Sequence, residues 1–136
     1  FRDLGDKIGT ASALKMCYAS QTKGTTALWL HSIITAQSLG VLDALRNEWT
    51  LSHPPLWGRM EDNLPTVPHR AGRWISEMKE IALTMEGIGL APDVFEGAAA
   101  MYELVDSVFN QKGYSEGPPI LELLTMIENH LHDHNE

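Results

Sequence analysis

Cysteine, basic side chains and long apolar stretches are all scarce in this sequence. The lone Cys17 cannot close a disulfide within the chain, which suits a reducing compartment, and its neighbours Met16 and Tyr18 indicate a packed helix position rather than an exposed thiol. Ten Lys and Arg against 18 Asp and Glu give a net charge of −8, which repels the phosphates of nucleic acids and anionic membrane surfaces. No apolar run reaches the ~20 residues of a membrane-spanning helix. We therefore expect a cytoplasmic protein that binds neither nucleic acid nor membrane.

The length of 136 residues suits one globular domain and is too short for two. Residues 1–8 contain a glycine and two aspartates, and we predict that they form an interdomain linker before a single helical domain over 9–136. Because the chain opens on Phe1 rather than Met, we expect it to be an internal piece of a longer protein.

Helical periodicity accounts for most of the chain, and no convincing strand pattern interrupts it. We predict a first long helix from about residue 10 to about 39, with Thr10 or Ser12 as its cap and Gly24 as its weak point. Further helices are predicted near 41–49, 69–87, 92–108 and 120–132, and Pro92 opens the helix at 92–108. Four prolines within 50–68 predict an irregular crossing with one helical turn around 56–60. The fold class is therefore all-α.

A polar stripe surrounds Lys15 on the first helix. Helical spacing places the following residues on one side of it: Ser12, Lys15, Ala19, Thr22, Lys23 and Thr26. The rest of that helix is largely apolar, so the stripe should line a cleft or an interface, where a lysine partly removed from water exchanges a proton readily near neutrality. The alternative is a solvated stripe on an ordinary amphipathic helix, and periodicity does not separate the two.

Several blocks of sequence resemble a known family. The run GDKIGTASALKMCYA at 5–19 resembles the start of the interdomain helix in β-hydroxyacid dehydrogenases, where a glycine-rich entry precedes a lysine. The blocks HRAGRWISEMKEIA at 69–82, GIGLAP at 87–92 and GAAAMY at 97–102 are similar to a little-characterised branch of the 6-phosphogluconate dehydrogenase-like superfamily. The resemblance covers roughly residues 5–108 and lies in the helical C-terminal domain of that superfamily.

The resemblance implies hydride transfer between a nicotinamide cofactor and a small hydroxy acid. It implies that Lys15 relays the proton of the substrate hydroxyl, and that NAD or NADP is bound mainly by an N-terminal Rossmann domain absent from this chain. It also implies a homodimer. The predicted substrate-binding residues, taken from the stripe and from the matched block, are Ser12, Thr22, Lys23, Arg73, Trp74 and Glu77.

The sequence departs from the family pattern at two places. Ala19 stands where the family has an asparagine four residues after the lysine, and Ser76-Glu77 stands where a lysine-acid pair is common. Arg73, one turn before Glu77, is a candidate replacement because a guanidinium grips a carboxylate or phosphate through two N–H groups. The alternative for Arg73 is an ion pair with Glu77 within the helix.

The sequence also raises other candidate sites and other functions. Three histidines, at 130, 132 and 134, could ligate a metal, but a frayed helix end is a poor scaffold and we predict no metal site. Trp29, Trp49 and Trp57 are expected in the core. The competing functions are a stand-alone helical dimerisation or ligand-binding module, or a non-redox enzyme, repurposed from the dehydrogenase domain.

Overall fold

The protein is described by a computed structural model over residues 9–109 and 117–134. These residues form six α-helices and one short 3₁₀ turn, and no strand occurs among them. The elements run in the order α1 Thr10–Ser38, α2 Leu42–Ser52, α3 Leu56–Asn63, the 3₁₀ turn Leu64–Thr66, α4 Ala71–Gly87, α5 Asp93–Phe109 and α6 Ile120–His134. The all-α prediction is confirmed. The predicted linker, 1–8, lies outside the described residues.

The 29-residue helix α1 is the longest element, and its ends are set by glycine. Gly9 precedes it with a φ of 87°, and Gly40 follows it with a φ of 73°, a left-handed conformation that glycine adopts without steric cost. The predicted cap at Thr10 or Ser12 is wrong, because the Gly9 carbonyl accepts the Ala13 N–H and no side chain caps the helix. Helical residues start directly after the glycine.

Gly24 does not break α1 but lets another helix approach it closely. A Cβ built at this position would lie 2.9 Å from the ring of Phe95 in α5. The missing side chain therefore allows the ring to pack directly on the α1 backbone, and packing compensates for the low helix propensity of glycine.

The proline-rich crossing is more helical than expected. The single turn predicted around 56–60 is instead the two-turn helix α3, continued by the 3₁₀ turn at Leu64–Thr66. Pro55 stands just before α3, and Pro65 falls in the 3₁₀ turn, where the absent N–H groups remove no hydrogen bond from the interior of a helix. Met60 and Leu64 are fully buried, and their burial stabilises this segment.

Helices α4 and α5 form an antiparallel hairpin that turns at Gly89, and α1 and α6 pack against it. The largest fully buried side chains come from five of the six helices and the 3₁₀ segment: Leu30, Ile33, Met60, Leu64, Met78, Tyr102, Phe109, Leu123, Leu124 and Ile127. The tryptophans pack against this core as expected, each of them partly buried. None of the described helices is long and apolar enough to cross a lipid bilayer.

Cys17, which was expected at a packed helix position, is exposed, and so are the apolar residues Val94 and Leu121. Val94 lies in the first turn of α5 beside an open groove, and Leu121 lies to one side of the α6 face that is centred on Ile120, Leu123 and Ile127. Cys17 lies on the first half of α1, where α4 covers only the opposite side of the helix. Periodicity identified apolar positions, but the reach of the neighbouring helices decides which of them are buried.

Candidate functional site

A groove of about 270 Å³ lies between the first half of α1 and the middle of α4. It brings together five residues that the sequence singled out and three others: Ser12, Lys15, Ala19, Lys23 and Glu77, with Met16, Glu80 and Ile81. This volume is just below the range of roughly 300–1,000 Å³ that is usual for small-molecule sites in proteins. The polar stripe of α1 therefore lines a cleft.

The groove lies between α1 and α4, which run antiparallel and are joined by a side-chain contact at each end of it. Near one end, the Thr84 hydroxyl lies 3.1 Å from the Met16 sulfur. Near the other end, the ammonium of Lys23 binds the carboxylate of Glu77. Between these contacts the small Ala19 leaves space open. The resemblance to β-hydroxyacid dehydrogenases implies an asparagine at this position, where the chain has a methyl group instead of an amide.

The Lys23–Glu77 ion pair is half-buried, with the side chains 26% and 40% exposed. The Lys23 ammonium also lies 5.3 Å from the centre of the Trp74 ring, within the range of a cation–π contact. Lys23 is thus held by a carboxylate on one side and an indole on another. The ion pair between Arg73 and Glu77 does not form, because Lys23 reaches Glu77 across the helix interface.

Tyr102 of α5 contacts both Lys23 and Trp74. Its side chain is fully buried, its hydroxyl donates to the backbone carbonyl of Lys23, and its ring meets Trp74 edge to face with centroids 5.2 Å apart. Burial raises the pKa of Tyr102 well above its usual value, and a hydrogen bond with the backbone of Ala27 opposes this only in part. The neutral hydroxyl therefore anchors the backbone of α1 at the residue that binds Glu77.

Lys15 and Glu80 line the same groove without an ion pair. Among the described residues, ion pairs within 4.0 Å join Lys23 to Glu77 and Lys79 to Glu103, and neither involves Lys15 or Glu80. Both side chains are exposed. The expected partial burial of Lys15 is therefore not found, because this half of α1 has a neighbour on one side only.

Three of the predicted site residues lie outside the groove. Thr22 lines a different groove of about 340 Å³ between α1 and α3, and its hydroxyl lies 3.3 Å from the carbonyl oxygen of Tyr18. Arg73 is exposed near the start of α4, and Trp74 contacts Lys23 without lining the groove. The helical angle of Thr22 assigned it to the stripe around Lys15, but Thr22 lies at the edge of that stripe and faces α3.

Sequence reasoning missed four residues that line the groove or close its end: Met16, Glu80, Ile81 and Thr84. Glu80 lies three residues after Glu77 on the same helix face, so helical spacing could have linked the two acids. Nothing in the sequence linked Met16 to Thr84, because they are 68 residues apart. In the described part of the chain, no three His, Cys, Asp or Glu side chains are placed to hold a metal ion.

Residues 36–105, just over half of the chain, match the protein family described as a domain of unknown function (DUF1932). The chain belongs to this family. DUF1932 is the helical C-terminal domain of the 6-phosphogluconate dehydrogenase-like, β-hydroxyacid dehydrogenase family, and it is associated with NAD(P)-dependent dehydrogenase-like proteins. The resemblance seen in the sequence is therefore confirmed.

Among solved structures, the chain is similar to a conserved hypothetical protein from Sinorhizobium meliloti 1021, with a TM-score of 0.80 and 23% identity. The alignment covers 94% of this chain and 44% of that protein, so the chain spans less than half of its length. At this identity the similarity shows the fold alone. The curated proteins contain no match to this chain.

Proposed function

We propose that this DUF1932 domain is the substrate side of an NAD(P)-dependent oxidoreductase acting on a small hydroxy acid. The observation that carries the proposal is Lys15, which lines the groove between α1 and α4 and has no ion pair among the described residues. Lys23, the other lysine of the groove, is bound to Glu77. Lys15 is therefore the lysine available for proton transfer, as the family resemblance implies.

The groove suits a small substrate better than a dinucleotide. Its volume of about 270 Å³ is small, and within residues 9–109 and 117–134 there is no strand from which a glycine-rich phosphate loop could start. This supports a companion Rossmann domain as the main binding site of NAD or NADP. When bound there, the nicotinamide would accept the hydride from the carbinol carbon.

The role of this domain is then to bind the substrate and to accept a proton. As the carbinol C–H bond breaks, Lys15 in its neutral amine form accepts the hydroxyl proton and becomes an ammonium, and the oxygen becomes the carbonyl oxygen of the product. The hydroxyl of Ser12, one turn earlier on α1, is a second donor and acceptor in the groove. The methyl group of Ala19 cannot take over the hydrogen bonds of the family asparagine, so orientation depends on the charged residues around it.

Replacement of Lys15 tests this proposal in the full-length protein. We expect Lys15→Met to lower kcat/KM for hydroxy-acid oxidation by about 10²–10⁴-fold, as for loss of a general base, and Lys15→Arg to be similarly inactive because a guanidinium does not release its proton. Lys79→Met is the matched control, since Lys79 is an exposed lysine on α4 whose partner, Glu103, lies outside the groove.

The outcome is read with both NAD and NADP and a panel of small hydroxy acids. Circular dichroism checks that each variant is folded. Unchanged turnover in Lys15→Met, or an equal loss in Lys79→Met, would contradict the role assigned to Lys15.

We also propose that the domain pairs with a second copy of itself, which the exposed apolar side chains of α1 favour. Leu14 is 51% exposed and Tyr18 is 72% exposed, and with Ala11 they line an apolar depression beside Lys15. Burying such a face in a symmetric dimer would remove it from water. Sedimentation at micromolar concentration tests this, and a monomer whose state does not change in Leu14→Ser argues against pairing through this face.

A further inference from the structure

We infer that the groove between α1 and α4 recognises a hydroxy acid that also carries an ammonium group, and that Glu80 is the residue that binds this group. The inference rests on the proposed function for the site but concerns only which substrate class it accepts. It starts from the four charges that line the groove: Lys15, Lys23, Glu77 and Glu80.

These charges sum to zero, and half of them already have partners. Lys23 and Glu77 neutralise each other in the half-buried ion pair. Lys15 and Glu80 remain, with opposite signs, and they face one groove without pairing with each other or with another described residue. The groove therefore presents one uncompensated positive group and one uncompensated negative group to a ligand.

A ligand that is only an anion fits this arrangement poorly. It would gain the attraction of Lys15 but would meet the carboxylate of Glu80, and a like charge in the same site lowers affinity. A phosphorylated ligand with about two negative charges at neutral pH would be repelled further. The unpaired Glu80 thus discriminates against simple anions.

A ligand with an ammonium group satisfies Glu80 and keeps the contacts at Lys15. Its ammonium would lie at Glu80 and its hydroxyl at Lys15. Its carboxylate would be attracted by the charge of Lys15 and by the N–H groups of Lys23 that Glu77 does not use, since an ammonium has three donors. Charge-assisted hydrogen bonds of this kind are among the stronger polar contacts. The small Ala19 leaves room for the ligand between α1 and α4.

The test compares three probes by ligand-observed NMR titration of the full-length protein: serine with hydroxyl, carboxylate and ammonium, 3-hydroxypropanoate without the ammonium, and ethanolamine without the carboxylate. We expect serine to bind at least about fivefold more tightly than either of the other two, the scale of one ionic contact in an open groove. Equal binding of serine and 3-hydroxypropanoate, or of serine and ethanolamine, would overturn the inference.

Glu80→Gln identifies the residue responsible. We expect this variant to bring the ratio of serine to 3-hydroxypropanoate affinity close to one, while Glu86→Gln leaves the ratio unchanged. Glu86 is a suitable control because it is an exposed glutamate on the same helix that does not line the groove, so its loss changes the net charge equally. A preference for serine that persists in Glu80→Gln would refute the assignment.

Measurements of binding and of turnover can refute the two proposals independently of each other. A protein that prefers serine through Glu80 but oxidises no hydroxy acid supports this inference and contradicts the proposed function. A protein that oxidises hydroxy acids through Lys15 and binds serine no better than 3-hydroxypropanoate supports the proposed function and overturns this inference.

Discussion

Removing the hydroxyl of Tyr102 should destabilise the domain at neutral pH and protect it in alkali. Tyr102 is fully buried, and its hydroxyl joins α5 to the Lys23 carbonyl of α1. In Tyr102→Phe this hydrogen bond is lost, while the Lys23 carbonyl can keep its helical partner four residues on. We therefore expect a loss of about 1 kcal/mol in the free energy of unfolding, the usual net value of one such bond.

The effect of Tyr102→Phe on the free energy of unfolding reverses at high pH because burial raises the pKa of Tyr102. In the unfolded chain the phenol ionises near pH 10, whereas in the folded protein it stays neutral at that pH. The stabilisation by the neutral phenol is fully present below about pH 10. Above that pH the free energy of unfolding falls by ~1.4 kcal/mol per pH unit, because unfolding then releases a proton. The advantage of tyrosine over phenylalanine should vanish near pH ~11.

Urea denaturation of both proteins, followed by circular dichroism from neutral to alkaline pH, measures this crossing. All other titrating groups are common to the two proteins, so the difference isolates Tyr102. Tyr18→Phe is the matched control: Tyr18 is 72% exposed, and we expect its hydroxyl to contribute almost nothing at either pH. Equal stability of wild type and Tyr102→Phe at pH 7, or a difference that does not change with pH, would refute the reasoning.

Two further predictions concern packing and the ion pair. Gly117→Ala should cost about 1–3 kcal/mol in thermal unfolding, because a Cβ there would lie 2.4 Å from the carbonyl oxygen of Pro65, whereas Gly58→Ala meets nothing within 4 Å and should be neutral or stabilising by up to ~1 kcal/mol. A double-mutant cycle of Lys23→Met and Glu77→Gln should give a coupling free energy of about 1 kcal/mol that falls with added salt, as expected for a half-buried pair. Gly117→Ala as stable as wild type, or a coupling near zero, would show that these contacts do not stabilise the fold.

The sequence alone determined the helices and much of the arrangement within α1. Gly40, the prolines at 54, 55, 65 and 68, and the apolar spacing located the breaks between helices, because these residues act on the local backbone wherever the helices end up in space. The same periodicity placed Ser12, Lys15 and Lys23 on one side of α1, and they line one groove. Local geometry is enough for such predictions.

The tertiary structure alone decided what this side of α1 faces. Lys23 pairs with Glu77, which is 54 residues away in the sequence. Thr22 faces α3 and not the groove, whereas Glu80 lines the groove together with Lys15. Helical periodicity fixes the angle of a side chain about its own axis but not which helix packs there or how far it covers the surface. That depends on how α1, α4 and α5 bury their apolar faces together, and it also decides that Lys15 stays exposed to water while Tyr102 does not.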